Sequence, residues 1–144
     1  MKKNTRQKFM LIITLVCFIP VFLSSCKSLE KIEYYSHKGN YISVTGTVSY
    51  MEYNEDSTAL YIELSDSHPI LDDTCFKIVG RNLEIVQINK IDDKLKTGEP
   101  ITIITAPRYF GDGYVMPIVA ISINGEDLLE FEEGYKYLLD WLSK

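Results

Sequence analysis

The sequence predicts a small, mainly β domain, and three observations support that class. Apolar and polar residues alternate with a period of two from Tyr41 to Tyr50 and again from Leu60 to Leu64, as in strands that bury one face. Turn-forming pairs such as Asn124-Gly125 separate the apolar runs. Apolar residues recur at helical spacing in only two segments of the same region. We therefore expect short strands joined by turns, with helices in a minor role.

The first three strands are predicted between residues 42 and 79. The inward-facing row of the first strand is Ile42, Val44, Gly46, Val48 and Tyr50. A glycine in this row favours a sharp bend. After a turn at 54–57, the inward row of the second strand is Leu60, Ile62 and Leu64, with Tyr61 facing outward. The polar loop 65–74 leads to a third strand, Cys75–Val79, which Gly80 ends.

A helix and two further strands are predicted next. Asn82 is a suitable N-cap for a helical stretch that carries Leu83 and Val86, and Gly98-Glu99-Pro100 ends it. The fourth strand is expected at Ile101–Pro107 and the fifth at Val115–Ile123. The order is therefore three strands, one helix and two strands.

The remaining chain adds two elements to this order. Asn124-Gly125 predicts a type I′ turn, so residues 128–131 are expected to form a short sixth strand. The chain closes with a helix whose apolar stripe consists of Tyr135, Leu138, Leu139 and Leu142.

With its bent, glycine-bearing first strand, the β-β-β-α-β-β order resembles the OB-fold over residues 41–123. That fold is a five-stranded, partly open barrel with its helix between strands three and four. The resemblance implies a small OB-like barrel, to which the C-terminal helix is an addition that closes one end.

The first 26 residues carry a different signal. Basic residues at 2, 3, 6 and 8 precede an apolar run from Phe9 to Leu23, which ends in Leu23-Ser24-Ser25-Cys26. This pattern is typical of a secretory signal peptide, and its end resembles the lipobox of bacterial lipoproteins. The resemblance implies cleavage after residue 25 and acyl chains on Cys26, the only cofactor-like groups expected. The alternative is a transmembrane anchor, but 15 apolar residues interrupted by Pro20 are fewer than the roughly 20 that a span needs.

These assignments predict three parts. They are a signal peptide at 1–25, a lipidated polar tether at 26–40 and the β domain at 41–144. Anchoring through Cys26 would place the domain on the extracytoplasmic side of the bacterial envelope. Lys27 follows the cysteine where aspartate would suggest inner-membrane retention, which favours the outer membrane if the organism has one.

Charge narrows the class of partner. Because four of the 15 basic residues lie in the first 25, 11 remain in the mature part against 20 acidic ones, a net charge near −9. An acidic surface repels polyanions, so nucleic acid is not an expected partner. Cationic peptides, metal ions and neutral glycans remain open.

Signatures of catalysis are not found in the sequence. It has no G-x-S-x-G, H-E-x-x-H, P-loop or dinucleotide-binding turn. Its two histidines lie in the tether, at His37, and in the polar loop, at His68. Cys75 would be the one thiol that is neither removed nor lipidated, and its place at the start of a strand indicates a buried structural role. We therefore expect a protein that is not an enzyme.

The acidic loop is the first candidate site. Glu63, Asp66, His68, Asp72 and Asp73 lie close together in the sequence. Their spacing does not match a calcium loop, so we expect a solvated acidic loop rather than a metal site, with weak calcium binding at Asp66, Asp72 and Asp73 as the alternative.

Aromatic residues form the second candidate site. Tyr109, Phe110 and Tyr114 flank the glycine turn between strands four and five. OB-folds bind ligands across the strand 2–3 face and the 4–5 loop. The resemblance therefore implies a ligand site at Tyr61, Arg108, Tyr109, Phe110 and Tyr114. The alternative is that Phe110 and Tyr114 fold back to close the barrel rim.

The C-terminal helix is the third candidate, with Tyr137 the residue expected to meet a partner. Two functions follow. The leading hypothesis is a membrane-anchored, non-catalytic binding module for a small ligand, glycan or peptide. The alternative is a structural or assembly subunit of an envelope complex, docked through the acidic terminal helix.

Overall fold

The computed structural model describes residues 30–66, 68–71, 73–110 and 113–144. The predicted signal peptide, the lipobox and Cys26 lie outside these residues, as do Asp72 and the first two residues of the predicted turn at 111–113. The described residues are helical at 30–36 (α1) and form a 3-10 turn at Lys38–Asn40. The other elements are β1 (Ile42–Tyr53), β2 (Ala59–Leu64), β3 (Cys75–Val79), α2 (Gly80–Ile88), β4 (Pro100–Thr105), β5 (Met116–Ile123), β6 (Glu126–Leu129) and α3 (Phe131–Leu142).

The chain divides into two compact units between Tyr34 and Tyr35. Of the first unit, the structure describes residues 30–34, which are helical. The second unit runs from Tyr35 to Lys144, so it begins six residues before the start predicted for the β domain. Tyr35 belongs to it because its side chain is fully buried.

One six-stranded sheet forms the second unit, in the order β3-β2-β1-β4-β5-β6. Neighbouring strands are antiparallel. In addition, β3 and β5 pair in parallel, Phe76 opposite Met116. This pairing joins the ends of the row, so that β1, β2, β3, β5 and β4 form a closed ring of five strands, with β6 added at the edge of β5. The protein is therefore mainly β, as the sequence predicted.

The long first strand serves both halves of the ring. Its residues 42–47 pair with β4, and its residues 48–53 pair with β2. At the changeover, a Cβ on Gly46 would lie 3.0 Å from the Leu64 side chain, so glycine lets the two strands approach closely. The glycine in the inward row of β1 thus has a packing reason.

The inward row of β1 differs from the prediction beyond Val48. Val44 and Val48 are buried as predicted, but Tyr50 is 49% exposed. The register of β1 against β2 shifts between Val48 and Tyr50, and an extra residue in one strand turns the following side chains to the opposite face. Met51 and Tyr53 therefore pack against the core, and the prediction for Tyr50 was wrong.

Helix α3 packs closely against the backbone of β5. A Cβ on Gly134 would lie only 1.8 Å from the carbonyl oxygen of Val119, so only glycine fits at this crossing. The helix also contacts α2, where the Asn82 side-chain amide donates a 2.9 Å hydrogen bond to the Gly134 carbonyl oxygen. The close approach of helix and strand thus depends on a residue without a side chain.

Asn82 is not an N-cap, and that prediction was wrong. Helix α2 begins at Gly80, and its N-cap residue, Val79, makes no side-chain capping hydrogen bond. Asn82 lies inside the helix with only 2% of its surface exposed. Within the part of the chain that the structure describes, its Oδ1 atom has no hydrogen-bond partner.

The predicted turn at Asn124-Gly125 is confirmed. Both residues have positive φ, 53° and 81°, as a type I′ turn requires. The strand that follows occupies Glu126–Leu129 rather than 128–131, because Phe131 already belongs to α3.

Candidate functional site

Two loops and the start of β1 meet at one end of the ring, which we call the loop end. The loop 65–74 joins β2 to β3, and the loop 106–115 joins β4 to β5. They are brought together because Phe76 pairs with Met116 just after the two loops. The start of β1 lies there as well, since Ile42 pairs with Thr105, the last residue of β4.

A small cleft lies between these two loops. Its volume is about 220 Å³. We call it the Tyr109 cleft, and its lining residues are Ile70, Leu71, Pro107, Arg108, Tyr109 and Met116. Two of the five residues predicted as a ligand site, Arg108 and Tyr109, therefore line one cavity together.

Exposed apolar side chains surround the cleft. Tyr109 and Tyr114 contact each other edge to face, with ring centroids 5.2 Å apart, and are 37% and 74% exposed. Ile70 on the opposite loop is 64% exposed. We call these three residues the rim. Since large apolar side chains are costly to leave in water, this cluster beside a cavity is a candidate site rather than an ordinary stretch of surface.

The loop that carries Arg108 and Tyr109 is attached to the first residue of the second unit. The Tyr35 hydroxyl donates a 2.9 Å hydrogen bond to the Arg108 carbonyl oxygen and lies 3.3 Å from that of Tyr109. The buried Tyr35 ring also packs edge to face against Phe110, with centroids 6.0 Å apart. The position of the cleft wall therefore depends on Tyr35.

Phe110 serves the packing of the loop rather than the cleft surface. Only 2% of its surface is exposed, and its ring lies between those of Tyr35 and Trp141, 5.0 Å from the latter. A ligand at the loop end would therefore not meet the face of this ring. For Phe110 the structure agrees with the alternative that the sequence left open, while Tyr114 remains exposed.

Tyr61 lies on another part of the surface. It sits on β2 between Glu52 of β1 and Lys77 of β3, and the Lys77 ammonium lies 5.2 Å from the centre of its ring. Its partner is thus a cation on the neighbouring strand, and it is not among the residues that line the Tyr109 cleft.

Two acidic residues of the 63–73 segment, Asp66 and Asp73, accept hydrogen bonds from backbone amides. Asp66 accepts a 3.1 Å hydrogen bond from the Thr47 amide, and Asp73 accepts one of 2.7 Å from the Thr74 amide. The Ile70 amide donates to Nδ1 of His68. Among the residues that the structure describes, no group of three or more potential ligands is placed to hold a metal ion. These hydrogen bonds give Asp66, His68 and Asp73 a role in holding the loop in its conformation.

Cys75 is half-buried rather than fully buried. Burial raises the pKa of its thiol, and the nearby charges of Asp73 and Glu63 raise it further. A raised pKa keeps the thiol protonated at neutral pH, whereas a reactive cysteine needs a lowered one. The surroundings of Cys75 therefore favour a structural role.

A second groove lies between α2 and α3. It has a volume of about 300 Å³, and we call it the Tyr137 groove; its lining residues are Gly80, Arg81, Glu84, Tyr137, Asp140, Trp141 and Lys144. Arg81 forms a 2.5 Å ion pair with Glu84. The pKa of Arg81 is raised, mainly by this hydrogen bond and to a smaller extent by one with Tyr137. The groove thus combines two aromatic side chains with charges of both signs.

Sequence reasoning missed Ile70 and Tyr35 as parts of these surfaces, and it missed the contact of Trp141 with Phe110. An isolated isoleucine next to Pro69 in a polar loop was a usable signal for Ile70. Nothing in the neighbouring sequence distinguishes Tyr35 from Tyr34, so the burial of Tyr35 could not be predicted. The ring contact of Trp141 with Phe110 joins distant segments, and residue spacing does not predict such contacts.

Comparison with known proteins gives no family for this chain. No protein-family model matches the sequence, and no curated protein matches it either. Among the described residues, no helix is both long and apolar enough to cross a bilayer.

Proposed function

We propose that this chain is a bacterial envelope lipoprotein with an OB-like barrel that binds a small ligand, glycan or peptide without catalysing a reaction. In this proposal, acyl chains on Cys26 hold the domain on the extracytoplasmic side of a membrane, the outer membrane if the organism has one. The Tyr109 cleft is the binding site, and Arg108, Tyr109 and Tyr114 are the residues that contact the ligand.

The strand order and closure support the OB-like assignment. A long first strand pairs with both β2 and β4, the helix α2 lies between β3 and β4 in the chain, and β3 closes the ring against β5 in parallel. The OB-fold is described by the same helix position and a five-stranded barrel. Fold alone does not assign function, so the proposal depends on the cleft.

The observation that carries the binding proposal is the cleft with its exposed tyrosine pair. A volume of about 220 Å³ is below the roughly 300–1,000 Å³ of pockets for drug-sized molecules. It therefore suits one ring, such as a single sugar unit or one apolar side chain of a peptide. Tyrosine faces stack on such rings, and Arg108 adds hydrogen-bond donors. Because the mature chain is acidic, the remainder of the ligand is expected to be neutral or cationic.

Binding can be tested with purified full-length protein on arrays of bacterial glycan fragments and peptides. We expect Tyr109→Ala to lose the binding that wild type shows. The matched control is Tyr50→Ala, which removes a similarly exposed tyrosine on β1. The control should bind like wild type. If Tyr109→Ala also binds like wild type, the site is not the Tyr109 cleft.

Anchoring is tested separately by metabolic labelling with a fatty-acid analogue. Cys26→Ala should abolish labelling and leave the precursor uncleaved. Cys75→Ala is the control and should label normally. Labelling that continues in Cys26→Ala refutes the lipidation proposal, whatever the cleft binds.

The Tyr137 groove favours a second candidate function, which is assembly into an envelope complex. Trp and Tyr are frequent in interface hot spots, and Trp141 is 40% exposed there. Crosslinking in intact cells should then capture one recurring protein, and Tyr137→Ala should reduce its yield while Tyr109→Ala does not. A complex that is unaffected by Tyr137→Ala excludes this role for the groove.

A further inference from the structure

The rim lies next to the point where the chain enters the second unit. Tyr35 is the first residue of that unit, and its hydroxyl is hydrogen-bonded to the carbonyl oxygen of Arg108. One tyrosine side chain thus separates the start of the unit from the loop that bears Tyr109. Any anchor upstream of Tyr35 is therefore attached on the side of the molecule that carries the rim.

The tether limits how far that side can move from an anchor at Cys26. Tyr35 lies nine positions after Cys26, so eight residues separate the two. Since those from 30 onward are helical and rise only about 1.5 Å each, the whole tether reaches roughly 22 Å when its other residues are extended. A domain of 110 residues is about 34 Å across. The tether is shorter than the domain, so the loop end cannot be turned fully away from the bilayer.

The chemistry of the rim suits the bilayer interface. Tyrosine is enriched where headgroups meet acyl chains, because its ring is apolar and its hydroxyl is polar. Tyr109 and Tyr114 are exposed, Ile70 adds an exposed aliphatic group, and the Arg108 guanidinium is suited to lipid phosphate.

We infer that the rim, Ile70, Tyr109 and Tyr114, rests on the headgroup layer of the bilayer that holds the anchor, so that the Tyr109 cleft opens toward ligands at the membrane surface. The inference rests on the proposed anchoring at Cys26. Isolated contacts of this size bind weakly, but a short tether keeps the rim at a high effective concentration near the lipid.

Fluorescence quenching tests this placement. Trp141 is the single tryptophan, so Trp141→Phe provides a background in which one new tryptophan reports its own surroundings. Lipidated protein carrying Tyr114→Trp is reconstituted in phosphatidylcholine vesicles whose lipids are brominated near the headgroup. The control is Glu55→Trp, an exposed position in the turn at the far end of β1. We expect the residue-114 tryptophan to be quenched about twofold more than the residue-55 tryptophan, as for side chains in the interfacial belt.

Equal quenching at the two positions, or none at either while the protein floats with the vesicles, overturns the inference. A residue-114 tryptophan that is shielded from iodide only when a second protein is added, and is never quenched by lipid, also overturns it and indicates a protein partner. If Tyr114→Trp does not fold, Ile70→Trp in the same background gives the same reading.

Failure of native lipidation is distinguished by an artificial anchor. The chain beginning at Cys26, with Cys75→Ser, is joined through its single thiol to a maleimide lipid, which restores the same tether. Quenching in this form supports the membrane contact even if the lipobox assignment is wrong. If the artificially anchored protein shows no quenching by lipid, the membrane contact of the rim is refuted. That result does not affect the ligand-binding proposal, which the arrays test separately.

Discussion

Replacing Gly134 by alanine is the sharpest test of how α3 packs against the sheet. Helix propensity alone predicts that alanine stabilises this helix by about 1 kcal/mol. The structure predicts the opposite, since the added methyl carbon would lie 1.8 Å from the Val119 carbonyl oxygen. A strand backbone in the middle of a sheet cannot move aside, so α3 must shift away from it by more than 1 Å. A gap of about that size loses up to half of the dispersion attraction between the atoms that it separates.

The cost can be estimated from what that shift disrupts. Strain from overpacking is typically about 1–3 kcal/mol. The hydrogen bond from the Asn82 amide to the Gly134 carbonyl, 2.9 Å long, adds about 1 kcal/mol. Against the gain in propensity, we expect Gly134→Ala to lower the free energy of unfolding by about 2 kcal/mol, within a range of about 1–3 kcal/mol. For a domain of this size that is a drop in Tm of roughly 10 °C.

Urea unfolding of the chain beginning at residue 26, with Cys26→Ser to avoid lipidation, measures this change. Gly39→Ala is the matched control, because nothing lies within 4 Å of its added Cβ, and it should change stability by less than about 0.5 kcal/mol. A Gly134→Ala protein as stable as wild type would show that α3 does not approach β5 in this way.

Two further predictions concern buried polar groups. Desolvation, with a hydrogen bond to Asp92, raises the pKa of Tyr53 to about 12. Since the phenol is protonated more strongly in the folded state, its stabilising contribution is complete below pH 10 and is lost between about pH 10 and 12. The full linkage is about 2.7 kcal/mol, and we count half of it because the hydroxyl is partly solvated. Between pH 10 and 12 the free energy of unfolding should therefore fall by about 1.4 kcal/mol less in Tyr53→Phe than in wild type. Identical slopes for the two proteins would refute this prediction. At pH 7, Asn82→Asp should lower the free energy of unfolding by about 3 kcal/mol, because it places a buried carboxylate next to the Gly134 carbonyl oxygen. Asn82→Ala, which only removes the hydrogen bond, should lower it by about 1 kcal/mol. The difference between the two variants should become smaller below pH 4, where the protonated carboxyl can donate a hydrogen bond. An equal loss of stability in both variants at pH 7 would contradict the buried position of Asn82.

Strand positions were predictable because side-chain alternation is a local property of the backbone. The sequence identified β2 and β3 within a residue, with Leu60, Ile62 and Leu64 buried. It failed at Tyr50, because the shift of register in β1 is set by pairing with β2 rather than by the residues themselves.

Contacts between distant segments were not predictable in the same way. Asn82 has the composition of a cap, but its amide instead meets the Gly134 carbonyl 52 residues away. For the candidate site, the sequence predicted Arg108, Tyr109 and Tyr114. It did not predict Ile70, whose loop reaches the cleft only because β3 pairs with β5.

The loop end gains its geometry from that same parallel pairing. Antiparallel neighbours alone would leave the 65–74 and 106–115 loops on separate edges of an open sheet. The pairing of Phe76 with Met116 closes the ring and sets the two loops side by side, which creates the cleft. Tyr35 then ties the entering chain to the second of these loops. Because both constraints act at one end, a ligand site there is positioned by the fold relative to the start of the domain, whatever the tether does.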